Sequence, residues 1–197
     1  MGGLRTIIGV VTLAASIAAA SDTQFFPKSI DQIGMHGFKA HWYSSQLQGL
    51  DEPSLFALTG NATAHAYRFL WLRTFHHPIA IRLNIDPDGT GMLTTKMSSG
   101  AGGYSPGKLV QDSTRRLDAT QIKDFLARIE QEGFWTAPNP INDQKGTDGS
   151  QWIIEGVKGG HYHVVDRWSP SKGPARDLGV FLAFDLAKMD IPKNEVY

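Results

Sequence analysis

The chain of 197 residues contains no cysteine. That excludes disulfides, thiolate metal sites, a cysteine nucleophile and a lipid-modified N-terminal cysteine. Neither sign of charge is in excess: 19 Lys and Arg stand against 19 Asp and Glu, a formal net charge of zero. Without a basic surplus to neutralise phosphates, general nucleic-acid binding is disfavoured. Beyond the first 20 residues no apolar run is long enough to cross a bilayer. No internal repeat and no long run of like charge is visible either. What the chain does have is apolar bulk. Hydrophobic residues make up 41%, including 10 Phe and 5 Trp, which can build a core and excludes a wholly disordered chain. The length suits one domain, alone or with a processed leader.

The N-terminus reads as a targeting segment. Arg5 supplies a short basic start, Thr6 to Ala20 is apolar or small throughout, and Ala18 and Ala20 form an A-x-A exit. The spacing predicts a secretory signal peptide over residues 1–20, removed to leave a chain that begins at Ser21. The apolar stretch is shorter than a bilayer span needs. With Arg5 gone the net charge becomes −1. The expected location is the periplasm or the exterior, without stable membrane insertion after cleavage.

Residues 21–50 mix Phe25-Phe26-Pro27, scattered glycine and a His-Trp-Tyr cluster at 41–43, and read as an irregular segment that packs on the domain. Pro53 to Leu58 reads as one short helix with Asp51 as its cap. The single domain proper is placed at 51–197. Ala66 to Phe75 is apolar and aromatic on both faces, as a central strand would be. Ile79 to Ile85 alternates cleanly, Asp86-Pro87-Asp88-Gly89 is a turn, and Gly91 to Met97 returns. Ser98 to Gly107 reads as a flexible glycine-rich loop and Lys108 to Leu117 as another strand. Asp118 and Gln121 have capping-box spacing ahead of Ile122, Phe125, Leu126 and Ile129, and Gly133 stops that helix. Gln151 to Val157 and His161 to Trp168 form a hairpin. Pro174 opens a last helix to about Met189, with Leu178, Phe181, Leu182 and Phe184 inward. The expected fold is α+β: a mostly antiparallel sheet of five or six strands with two main helices packed on one face.

Several motifs resemble active chemistry. Gly102 to Lys108 matches G-x-x-x-x-G-K, but position 109 is Leu rather than Ser or Thr, and a strand follows where a phosphate loop needs a helix. Asn84, Asp86, Asp88 and Gly89 resemble the opening of a calcium loop. The closing Glu is absent, since Thr95 stands there, so a hairpin turn is the better reading. His161 and His163 project from one face of a strand, a geometry that suits zinc or copper, yet no third ligand is identifiable. With Lys158-Gly159 as a two-residue turn, Glu155 falls opposite Tyr162 and Ile154 opposite His163. Glu155 and Asp166 then share one face and the histidines the other, which separates acid from base. Ser169 has no nucleophile-elbow pattern around it. No metal and no cofactor is expected.

The aromatic and arginine positions carry more. Tyr67, Phe69, Trp71 and Arg73 alternate on one face, Arg82 and Asn84 lie on the polar face of the next strand, and Trp152, His163 and Arg167 gather on one face of the hairpin. If those faces coincide, they form a surface for stacking and for carboxylate recognition. The competing reading is that the aromatic face is core, or is covered by residues 21–50.

The segment Thr147 to Pro170 (TDGSQWIIEGVKGGHYHVVDRWSP), the stretch YRFLWLRTFHHP and the loop GAGGY resemble an uncharacterised group of small exported bacterial proteins. The resemblance covers about residues 65–170. It implies export and a bacterial source, and assigns no residue a role. The expectation is therefore an exported, non-catalytic binding or interaction module. Its ligand, a protein, peptide or saccharide, would be held by Trp71, Arg73, Arg82, Trp152, His163 and Arg167. The alternative is a small, metal-assisted hydrolase built on His161 and His163.

Overall fold

The computed structural model describes residues 23–31, 37–138 and 146–197. The expected signal peptide and its cleavage site lie outside the described residues. The described chain runs α1 (Phe38–Gly49), β1 (His65–Arg73), β2 (Ile79–Ile85), β3 (Gly91–Ser98), β4 (Leu109–Leu117), α2 (Ala119–Gln131), β5 (Ser150–Lys158), β6 (His161–Trp168) and α3 (Pro174–Val180). The six strands form one antiparallel sheet in the order β4-β3-β2-β1-β5-β6. The fold is α+β, as the periodicities require.

β1 sits at the centre, and every residue after His65 is buried. One face of the sheet carries Tyr67, Phe69, Trp71, Ile79, Ile81, Leu83, Trp152, Ile154 and Val165. α2, α3 and the turns that follow α3 cover it with Ile122, Phe125, Ile129, Leu178 and Leu182. The capping box of α2 forms as its spacing predicts: Gln121 N–H donates to Asp118 Oδ1 at 2.9 Å, and Asp118 N–H to Gln121 Oε1 at 3.2 Å. α3 is shorter than the sequence suggests. From Phe181 to Leu186 the chain widens into π-helical turns, with Ala187 N–H donating to Leu182 O. Phe184 is left only partly buried in consequence, while Leu182, Ala183 and Leu186 turn inward.

The other face is covered too, which corrects the irregular reading of residues 21–50. α1 lies there, and Tyr43, Leu47 and Leu50 pack with Phe25, Phe26 and Ile30 onto Leu70, Leu72, Ala80, Ile153 and Val164. The sequence hides this helix because its buried stripe includes Lys39 and Gln46. The region 53–58 is a 3₁₀ turn at Phe56–Leu58 rather than a helix, and Ser54 rather than Asp51 accepts its N–H, from Ala57 at 3.0 Å.

The β5–β6 turn is Gly159-Gly160, with φ of 59° and 81°, so Glu155 pairs with Val164 and Gly156 with His163. Two positive φ angles are what a tight hairpin turn of this hand demands. The register is thus corrected from the Lys158-Gly159 alternative. The shift is an even number of positions, so the predicted assignment of side chains to faces survives.

Candidate functional site

The expected binding surface does not assemble. Trp71 and Trp152 are both 0% exposed, with ring centroids 4.8 Å apart, beneath α3. Arg73 is 2% exposed; its guanidinium lies 4.6 Å from the Trp71 ring and bonds Glu195 at 2.9 Å. Arg176 caps Trp152 in the same way, also at 4.6 Å. Arg82 lies on the opposite face, bound to Glu52. His163 stands edge-on to Phe134 at 5.1 Å, and burial lowers its imidazole pKa. Arg167 donates to the main-chain oxygens of Asp166 and Pro138 at 2.8 and 2.9 Å. Trp152, His163 and Arg167 do share a face, but that face is core. The physical reason is burial: two indoles at the sheet centre are worth more against α3 than in water.

The other motifs resolve as structure. Arg116 lies 3.6 and 3.4 Å from Asp86 and Asp88, and Thr90 N–H and Oγ1 donate to Asp88, closing the turn. The loop 99–108 is docked rather than loose, which corrects its reading as flexible. Trp42 Nε1 donates to Gly102 O at 2.8 Å, Gln46 Nε2 to Tyr104 O at 2.7 Å, and Gly102 N–H to His76 O. A Cβ on Gly102 would lie 2.6 Å from Arg73 O, so only glycine fits there. His161 and His163 both lie near Trp135, whereas Glu155 and Asp166 point to the far side of the sheet. Among the described residues no three His, Asp or Glu side chains converge as a metal would need.

What sequence reasoning missed is an ionic cluster under the N-terminal segment. Arg68, 0% exposed, donates from Nε to Glu155 at 2.8 Å and from Nη1 to Pro53 O at 2.6 Å, and lies 3.4 Å from Glu52. Glu52 also accepts from Arg82 Nε at 2.9 Å and lies 3.7 Å from Lys96 Nζ. Lys39 Nζ donates to Asp166 at 2.6 Å, and Tyr43 hydroxyl to the same oxygen at 3.1 Å. Burial disfavours a charged Arg68, but Glu155 and Glu52 outweigh it and raise its pKa. Burial, and then Glu155, raise the Tyr162 phenol, so it keeps its proton and donates to Glu155 at 2.9 Å. These groups are ion-paired with one another and hold α1 and residues 50–58 to the sheet.

A walled surface remains at the outer edge of β6. A groove of about 280 Å³ runs along Gly160 to Val164, and Pro27, Ser29, Phe56 and Thr59 form its opposite wall. With Gly159-Gly160 as the turn, Lys158 and His161 close the hairpin, so the main-chain groups of Tyr162 and Val164 point outward. Among the described residues nothing bonds them. Val164 is nevertheless 2% exposed. The groove is therefore lined by outward main-chain groups that nothing bonds among the described residues, with Tyr162 half-buried and Val164 buried. A search against known families finds no family model that matches this chain, and no curated protein is measurably similar to it.

Proposed function

We propose that this is an exported, non-catalytic interaction protein that takes up an extended peptide segment along β6. The export half of the reading rests on the leader pattern of residues 1–20. The binding half rests on one observation: the outward main chain of Tyr162 and Val164, unpaired and set in a walled groove. A strand added there completes the ladder and gains main-chain hydrogen bonds, while the Phe56 and Pro27 wall contributes apolar contact. The aromatic core residues Trp71 and Trp152 have no part in it. Acid–base chemistry at His161 and His163 is disfavoured, because both nearby carboxylates face away and are already ion-paired.

The test is selection from a displayed library of random dodecapeptides, followed by two perturbations of the selected peptides. N-methylation of alternate peptide amides should abolish binding in one phase and spare it in the other, because only every second amide faces β6. Thr59→Trp, which fills the groove from its exposed wall, should weaken binding at least about tenfold. Peptides that bind equally well to Thr59→Trp, or that tolerate methylation in both phases, would remove this reading.

A further inference from the structure

The opposite edge of the sheet has a different character, and from it we infer that the chain self-associates by antiparallel pairing of β4 with β4 of a second copy. Eight of the nine residues of β4 are exposed, and only Leu117 is buried. Val110 is 57% exposed. The strand carries no proline, and its only ladder irregularity lies near its start, opposite Met97 and Ser98. Apart from that irregularity and its charges, it lacks the devices that ordinarily break an edge, and the charges are arranged to match.

The direction of the free main-chain groups follows from the ladder. Ser98 N–H donates to Pro78 O on the β2 side, at 3.2 Å. Even-numbered residues of β3 therefore bond to β2 and odd-numbered ones to β4. Through the pairs Thr95 with Ser113 and Leu93 with Arg115, the odd-numbered residues of β4 bond inward. Asp112, Thr114 and Arg116 are left with donors and acceptors on the open side.

Pairing two such edges about a twofold axis requires an outward residue opposite an outward residue. Centring the axis on Thr114 sets Asp112 opposite Arg116 twice, once at each end. The neighbouring registers are poorer. Centring on Asp112 sets two carboxylates against each other, centring on Arg115 or Arg116 sets two guanidinium groups together, and centring on Ser113 pairs no opposite charges. Opposite charges directly across a ladder stabilise it and like charges penalise it, so the Thr114 register is selected over its neighbours. Arg116 can turn toward a partner, since its contacts to Asp86, Asp88 and Thr90 are all exposed, and Asp112, 3.8 Å from Lys96, is itself exposed. The result is a continuous sheet through two copies, which leaves both β6 grooves at the outer ends.

The experiment is equilibrium sedimentation of the full chain over a wide concentration series. Asp112→Arg should lower the self-association constant about tenfold or more by placing like charges opposite. Arg116→Asp should do the same, and the double exchange Asp112→Arg with Arg116→Asp should restore association. Thr114→Pro removes an outward N–H at the axis without touching an inward one, and should abolish pairing. Thermal melting of each variant checks that it folds. A chain that stays monomeric throughout the series overturns the inference, as does association that the double exchange fails to restore. Association lost on Thr59→Trp but not on the β4 changes would put the interface at β6, and also overturns it.

Discussion

Replacing Glu52 by Gln isolates the energetics of the buried ionic cluster. Glu52 is 5% exposed and is the shared carboxylate of Arg68, Arg82 and Lys96. Gln keeps the volume and one acceptor but removes the charge. Arg68 retains Glu155 and Pro53 O, and Lys96 retains Asp51 O at 2.6 Å. Arg82 loses the one carboxylate it contacts among the described residues. Removing one partner from a buried ion pair costs about 3–5 kcal/mol. The retained bonds put this case at the low end, about 3 kcal/mol. For a domain of this size that is a fall in Tm of about 6–12 °C. Arg116→Ala, melted at a concentration where the chain is monomeric, is the control, since its partners within the chain are exposed and its loss should there cost less than about 1 kcal/mol. Circular-dichroism melts of both variants, repeated at high salt, provide the comparison. The loss in Glu52→Gln should persist in salt, because buried pairs are poorly screened. If Glu52→Gln melts with the Arg116→Ala control, the cluster carries no stability and does not hold the N-terminal segment to the sheet.

Two further outcomes follow from the geometry. A Cβ on Gly179 would lie 2.7 Å from the Trp152 ring and 3.0 Å from Phe69, so Gly179→Ala should destabilise by about 1–3 kcal/mol in denaturant titration despite the better helix propensity of alanine; a stabilised variant would mean that α3 can back away. Burial lowers the imidazole pKa of His163, and of His65 with help from Lys158, below the ordinary 6.5. The unfolded chain then takes up protons first, so their contribution is whole above about pH 6.5 and is lost as pH falls below it. His163→Gln should accordingly flatten the decline in Tm between about pH 7 and pH 5, and an unaltered slope would exclude His163 as a source.

Period-two and helical spacing in the sequence determined the strands, α2 with its capping box, the start of α3 and the division of side chains between two faces. Those are local properties, set by backbone geometry over a few residues. The hairpin register shows the limit: the run Lys158-Gly159-Gly160 permits two turns, and the face assignment survived only because they differ by an even step. Which face is open was not local. Arg82, Glu155 and Asp166 alternate like solvent-facing positions, and Lys39 breaks the apolar stripe that would have revealed α1. Each is buried because its partner arrives from far along the chain, Lys39 to Asp166 across 127 positions. Likewise Trp71 and Trp152 look the same in sequence whether they bind a ligand or fill a core; the packing of α3 decided for the core. The sequence could not mark β4 and β6 as the edges either, since strand order depends on the free energy of the whole sheet rather than on any strand's own residues. The unpaired groups at Tyr162, Val164 and Thr114 exist only because tertiary structure placed those strands last.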